Sequence, residues 1–275
     1  MSGAESSPDT DFDRRLFAAK LAALAEFAAG AGHEINNPLA TIAGRVQLLL
    51  RDETDPERRQ ALCTIGGQAY RIRDMIGDAM LFARPPKPKP EPLDLAAELR
   101  RVLERMAGLA AERGCQFAVE ADPSVPILAD RTQLAVVISE LVRNGLQALH
   151  EARATGGKAK QRTGPFFCPD PAAETTAKNM DLSPFHVRIA ARAIRLDDRP
   201  FALFVVADDG AGLSEEEREH LFDPFYSGRP AGRGLGFGLP KAWRIVTQHG
   251  GTIDVASSPG GETRFEVRWP ADRIG

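Results

Sequence analysis

Cysteine is scarce in this 275-residue chain: Cys63, Cys115 and Cys168 are all it has. They are far apart and odd in number. That excludes a disulfide framework and a cysteine-rich metal site, and a reducing compartment is the expected setting. No run of about 18 apolar residues exists, so no helix of ordinary membrane-spanning character is expected. The opening residues, MSGAESSPDTDFD, have neither the basic segment nor the apolar segment of a signal peptide. A net charge of −3 leaves no electrostatic case for binding nucleic acid. Of the five histidines, none lies at metal-ligand spacing to another. What is present, 43% hydrophobic and 27% charged residues, is the composition of an ordinary globular protein long enough for two small domains. A cytoplasmic location is expected.

The pattern along the chain changes character at one place. Residues 1–10 are expected to be disordered. From residue 11 to about residue 51, apolar or small residues at Leu24, Ala28, Ala31, Ile35, Ile42, Val46 and Leu49 keep the three- and four-residue steps of a helix. With Ile35 at heptad position a, His33 falls at f, the outermost position. Asp55-Pro56 reads as a helix cap followed by a proline at the first helical position. A second helix follows, with Leu62, Ile65, Ala69, Ile72, Ile76, Ala79 and Phe82 as its stripe. The two helices form an α-helical hairpin over residues 11–84. A lone hairpin cannot cover both stripes, so a homodimer, a four-helix bundle built from two copies, is expected. Residues 84–92, RPPKPKPEP, must leave the helix, and 85–92 form a stiff proline-rich linker. Beyond it, over 93–271, helix and strand patterns alternate. Helices are expected over 95–113, 130–150 and 239–249 and near 215–221. Strands are expected over 116–120, 126–129, 185–194, 200–207, 251–257 and 262–269. This is an α+β sandwich, a mixed sheet with helices on one side. Residues 152–184 break the pattern and read as a long insertion loop.

Four stretches carry chemistry. His33-Glu-Ile-Asn-Asn37-Pro38 places a histidine and a carboxylate on the helix face away from the apolar stripe, where packing explains them poorly. Glu140 and Asn144 share a helix face, and a carboxylate with an amide oxygen suits Mg²⁺ that keeps most of its waters while holding phosphates. A polar solvent face would look the same. Asp208-Asp-Gly210-Ala-Gly212 follows an apolar strand, an arrangement for ligand contact or for a tight turn before a helix. Finally, Gly234, Gly236 and Gly238 alternate as they lead into a helix, which is a phosphate cradle in principle. The F-D-P-F-Y run at 222–226 precedes them.

In this order, these stretches resemble the ATP-binding domain of sensor histidine kinases. That domain is of the GHKL (Bergerat) type shared with gyrase and MutL. The hairpin resembles the dimerisation and histidine-phosphotransfer domain of the nitrogen-regulation-like kinases. The resemblance implies that His33 is the phosphoacceptor, that Glu34 takes the imidazole proton, and that Asn37 holds a water for dephosphorylating a partner. It implies that Asn144 holds Mg²⁺ with Glu140 behind it and Gln147 in the same nucleotide-contacting helix. Asp208 would accept the adenine amino group, with Gly210 and Gly212 shaping the pocket, and Gly234, Gly236 and Gly238 would line the phosphates. The cofactors implied are ATP and Mg²⁺. The partners implied are a second copy of the chain and a response-regulator receiver domain, with input from a separate sensor, from the 152–184 loop or from a domain outside this chain.

Some residues depart from the family pattern. Phe237 stands where leucine is common, Leu235 where threonine is frequent, and Asp209 where asparagine is frequent. Asp209 would repel phosphate if it pointed inward. Pro38 deprives the Glu34 carbonyl of its helical donor and invites a bend. His150, His186, His220 and His249 read as surface or helix-end residues, and Trp243 and Trp269 as packing residues. The alternatives are a GHKL ATPase driving conformational change and a non-catalytic scaffold that binds a receiver.

Overall fold

A computed structural model describes residues 8–154, 186–226 and 236–271. The chain divides into two compact units, Met1–Pro86 and Lys87–Gly275.

The first unit is a pair of helices, α1 (Pro8–Asp52) and α2 (Pro56–Ala83). The first begins at Pro8, inside the stretch expected to be disordered; residues 1–7 lie outside the described residues. Proline suits a first helical position. Pro38 is accommodated within a continuous helix. The turn to α2 is made by Asp55, in extended conformation, whose carboxylate accepts from the N–H groups of Glu57 (2.9 Å) and Arg58 (3.0 Å). Among the described residues of α1, Leu39, Ala43 and Val46 are the buried apolar positions. Two glycines bring the helices together. A Cβ on Gly66 would stand 3.1 Å from Val46, and one on Gly32 would stand 2.9 Å from the Met80 sulfur. The stripe expected to be the seam is wider than one seam. Ile42 is 42% exposed and Leu49 59%, with Ile65 at 50% and Ile72 at 40% on α2.

The second unit is the mixed sheet with helices on one side. Its elements are β1 (Glu91–Asp94), α3 (Leu95–Glu112), β2 (Gln116–Ala121), β3 (Pro126–Ala129), α4 (Arg131–Ala154), β4 (His186–Leu196), β5 (Arg199–Asp208), α5 (Glu215–Glu219), α6 (Gly238–Gln248), β6 (Thr252–Ser257) and β7 (Thr263–Pro270). The main sheet has the order β2-β4-β5-β7-β6; β2 and β4 are parallel and the other pairs antiparallel. Strands β1 and β3 form a separate antiparallel pair. The proline-rich stretch therefore ends in a strand that was not expected, because Pro92 within it reads as a strand breaker. An edge strand tolerates proline.

The core is one cluster between α3, α4, α6 and the inner sheet face, where Leu99, Leu134, Ile138, Leu141 and Ile245 meet Val187, Phe204, Val206, Phe265 and Val267. Strand β7 alternates cleanly: Thr263, Phe265, Val267 and Trp269 are buried, with half-buried Arg264, Glu266 and Arg268 between them. The opposite sheet face carries a small apolar cluster, Ala190 and Val205 with Leu203. It also carries ion pairs such as Arg192–Glu120 at 2.7 Å.

Candidate functional site

The hairpin carries its polar hexapeptide in the open. His33, Glu34 and Asn37 are exposed on α1, while Ile35 and Asn36 are half-buried. Gly32, next to the histidine, is where α1 comes closest to Met80 of α2, so the backbone under His33 is pinned to the second helix. One turn on, the Thr41 hydroxyl donates to the Asn37 carbonyl at 3.1 Å, a local bond that suits the turn disturbed by Pro38.

In the second unit the reactive group is buried. Asp208 ends β5 at 1% exposure. Strand alternation points it to the same face as Phe204 and Val206, beneath α4. Gly145 of α4 lies directly against it, since a Cβ there would be 3.5 Å from the Asp208 Cβ and 3.3 Å from Val187. The Gly210 N–H donates to Asp208 Oδ1 at 3.0 Å. Burial pushes the Asp208 carboxyl up to about 7. The Gly210 N–H opposes that, Asp209 and Glu262 add to it, and Arg188 opposes it. A carboxylate buried under a helix is costly unless a ligand donates to it.

The glycines of the loop are there for space. A Cβ on Gly210 would stand 2.7 Å from Asp208 Oδ1 and 2.9 Å from Ala148. Gly212 has φ +74°, and a Cβ there would overlap the Ser258 carbonyl oxygen. The loop is docked on the β6–β7 turn: Leu213 N–H donates to Ser257 Oγ at 3.0 Å and Gly260 N–H to the Ala211 carbonyl at 2.6 Å. Gly236, at φ +67°, would overlap the Tyr226 carbonyl oxygen if it carried a Cβ. Phe237 is buried and meets Phe225 edge-on at 4.8 Å between ring centres. The departure from leucine at Phe237 thus supplies an aromatic lock between the F-D-P-F-Y segment and α6. Gly234 lies outside the described residues, as do Arg233, Leu235 and residues 155–184 of the insertion.

On α4, Glu140 and Asn144 are half-buried. Glu140 is tied to Lys241 of α6, Nζ to Oε1 2.9 Å, and a Cβ on Gly238 would stand 2.8 Å from its other oxygen. Lys241 is a residue that sequence reasoning passed over. A lysine in the first turn of an amphipathic helix reads as solvent-facing, yet it is buried here. Gln147 donates to Glu151 at 2.7 Å along its own helix. Asp209 does not join Asp208. It points to the other sheet face, where its carboxylate meets Arg188 at 3.0 Å.

His249 is at a helix end as expected, but it is fully buried. Its Nδ1 bonds the Ile245 carbonyl at 3.0 Å, the Asp130 N–H donates to its Nε2 at 3.3 Å, and its ring leans on Trp269 at 4.6 Å. Burial holds this imidazole below its usual range and neutral. Asp130 in turn caps α4 through the Thr132 and Gln133 N–H groups, at 2.9 and 3.1 Å, and accepts the Lys89 N–H at 2.9 Å. The end of the proline-rich segment and the start of the Asn144-bearing helix are therefore fastened at one carboxylate.

A mixed sheet with a strand-end carboxylate buried under a helix, bordered by glycine turns that admit no side chain, defines a nucleotide-binding unit of the GHKL kind. Residues 129–273 match the family described as histidine kinase-, DNA gyrase B-, and HSP90-like ATPase, and residues 23–87 match the His Kinase A (phospho-acceptor) domain. The chain is 31% identical over 269 residues to the sensory histidine kinase/phosphatase NtrB of Klebsiella oxytoca, covering 94% of this chain and 67% of that one. It is 27% identical over 263 residues to the signal transduction histidine-protein kinase AtoS of Escherichia coli K12, spanning 95% of this chain but 37% of AtoS. In fold it is similar to full-length ShkA solved with AMPPNP, with TM-score 0.66 and 22% identity, over 89% of this chain and 45% of that one. The chain belongs to the sensor histidine kinase family, as a protein histidine kinase with an ATP-binding GHKL domain.

Proposed function

We propose that the protein phosphorylates itself on His33 from ATP and passes the phosphoryl group to an aspartate of a response-regulator receiver domain, which it also dephosphorylates. The carrying observation is the division of labour between the units: an exposed His33–Glu34 pair on one, a buried Asp208 under α4 on the other.

The residues present fit ATP and Mg²⁺. The buried Asp208 carboxylate is a matched acceptor for the adenine amino group, and the close approach of Gly145 and Gly210 fixes where that carboxylate sits. Among the described residues no group of three or more His, Cys, Asp or Glu is arranged to hold a metal ion. Asn144 therefore suits an ion that brings its own waters and phosphates, as Mg²⁺ does. When bound, that ion would neutralise phosphate charge.

In the reaction, a ring nitrogen of His33 attacks the γ-phosphorus. A nitrogen–phosphorus bond forms as the bond to the bridging oxygen breaks, ADP departs, and the imidazole proton goes to Glu34. Gly236 and Gly238, with Gly234, would hold the phosphates through backbone N–H groups at the start of α6. Asn37, one turn beyond His33, would position the water that hydrolyses the phosphorylated receiver. A second copy of the chain would cover Ile42, Leu49, Ile65 and Ile72, which the single hairpin leaves exposed. Among the described residues no helix is long and apolar enough to cross a membrane. A cytoplasmic setting, with input from a separate sensor, from the 152–184 loop or from a domain outside this chain, completes the reading.

The test is incubation with γ-labelled ATP and Mg²⁺. Wild type should acquire acid-labile phosphate, and His33→Gln should fall to background while still binding ADP. Label persisting in His33→Gln would overturn the reading, and steady phosphate release without phosphoprotein would favour the ATPase alternative.

A further inference from the structure

Two adjacent carboxylates end β5, and the sheet sorts them to opposite faces. Asp208 faces α4. Asp209 faces the back, where Arg188 Nη2 lies 3.0 Å from Asp209 Oδ1 and 2.6 Å from Glu262 Oε2. The three come from neighbouring places in the sheet order: Arg188 from β4, Asp209 from just after β5, and Glu262 from just before β7. Arg188 is opposite Ala207 in the register, and Asp208 is opposite Thr263. One guanidinium thus straps the end of β5 to both its neighbours. Arg188 is 13% exposed, so the strap is largely out of solvent and screened less than a surface pair. The far half of the loop is already docked on the β6–β7 turn through Ala211, Gly212 and Leu213. Arg188 holds the near half.

We propose that Arg188 is a positioning residue for nucleotide recognition, holding Asp209 to the back of the sheet so that Asp208 alone faces the base. The proposal rests on the reading of Asp208 as the acceptor of the adenine amino group. Without the arginine, Asp209 and Glu262 face each other as like charges beside a third carboxylate. The loop then has reason to turn Asp209 toward the pocket.

The charged groups around Asp208 are few. Its own loop brings Asp209, β4 brings Arg188, and the start of β7 brings Glu262, while α4 presents uncharged Gly145. Among the described residues that shift Asp208, Arg188 is the cation, and it favours the ionised form. Its removal also moves the titration of base binding to higher pH.

The experiment is ADP titration by calorimetry on the full chain across neutral pH, for wild type, Arg188→Met, Arg188→Met with Asp209→Asn, and Asp208→Ala. Arg188→Met should weaken ADP binding at neutral pH by on the order of tenfold, with the pH midpoint raised. Adding Asp209→Asn should recover most of the affinity, because the carboxylate that needed restraint is gone. An unchanged midpoint in Arg188→Met, or a double variant no better than the single, overturns the proposal. If Arg188→Met does not fold, Arg188→Lys takes its place, keeping the charge but not the two-acceptor fork. It should lose affinity in the same direction by less, and wild-type affinity in it overturns the proposal. Asp208→Ala separates the two layers. Wild-type affinity there sinks the reading of Asp208 itself, whereas lost binding there beside a normal Arg188→Met sinks the role of Arg188 alone.

Discussion

Glycines separate the two units. On the hairpin, Gly30, Gly44, Gly67 and Gly77 have no atom within 4 Å of where a Cβ would stand. Around the nucleotide site, Gly210, Gly212, Gly236 and Gly238 would each drive a Cβ into a neighbour, at Gly212 and Gly236 into backbone that cannot step aside. The contrast follows the chemistry each unit performs. The proposed phosphoacceptor must be reached by other groups, and His33 and Glu34 sit on the open side of a helix whose other side, at Gly32, packs on the second helix. The loops of the second unit instead pack on one another and on Asp208 and Glu140, and their backbone segments approach until only glycine fits.

The sharpest way to break this comparison is Gly212→Ala. The residue is at φ +74°, and its Cβ would overlap the Ser258 carbonyl oxygen. Left-handed backbone costs alanine roughly 1–2 kcal/mol and the steric overlap about as much again, so a loss on the order of 3 kcal/mol is expected. Urea unfolding of the full chain should register the loss, with ADP binding falling at the same time because the Asp208 loop can no longer dock on the β6–β7 turn. A variant with wild-type midpoint and affinity would show that the close approach is dispensable.

How far this was legible from residues alone depends on the range of the interaction. The Asp55-Pro56 cap, the strand ending in Asp208 and the glycine-led helix α6 are local signals, and each element lies where its signal places it. The site residues that were passed over are defined by partners far away in sequence. Lys241 is explained by Glu140, and Arg188 by Asp209 and Glu262. A lone lysine or arginine on an amphipathic pattern reads as solvated until the fold brings its acid alongside. His249 was legible as a helix end but not as a buried group, because its partners Asp130 and Trp269 come from either side of it in the chain. Asp209 beside Asp208 reads as a liability from sequence alone, and in the fold its carboxylate meets Arg188 on the other sheet face.

A second prediction, smaller in effect, concerns pH. Burial pushes Asp208 up to about 7, so near neutrality a fraction of the empty protein holds it protonated. In the proposed role of Asp208 the adenine amino group donates to the ionised form, so ADP affinity should fall below about pH 7, by up to tenfold per unit. Empty-protein stability has the opposite sign. A carboxyl whose folded pKa is raised above its unfolded value contributes stability that is complete below about pH 4 and is lost as pH rises through about 7. The shift in thermal midpoint produced by ADP should therefore grow between about pH 5 and pH 8, and Asp208→Asn should flatten it. A shift independent of pH in wild type would place the titrating group elsewhere. Among its described residues the hairpin has no comparable buried carboxylate, so a hairpin variant such as His33→Gln should leave the profile in place.

The smallest expected effect lies in two neighbouring glycines of α2. A Cβ on Gly66 would stand 3.1 Å from Val46 at the helix seam, while Gly67 faces open space. Alanine is better than glycine in a helix interior by about 1 kcal/mol. At Gly67 that gain meets no opposing contact, so Gly67→Ala should stabilise the hairpin by up to about 1 kcal/mol and leave phosphorylation and ADP binding unchanged. At Gly66 the same gain must be set against a methyl pressed on Val46, and little or no stabilisation is expected there. Thermal unfolding of the two variants side by side reads the difference. If Gly67→Ala destabilised the protein as much as Gly66→Ala, the outward face of α2 would have to be covered rather than open. The hairpin would then resemble the nucleotide unit in the one respect that most clearly divides them.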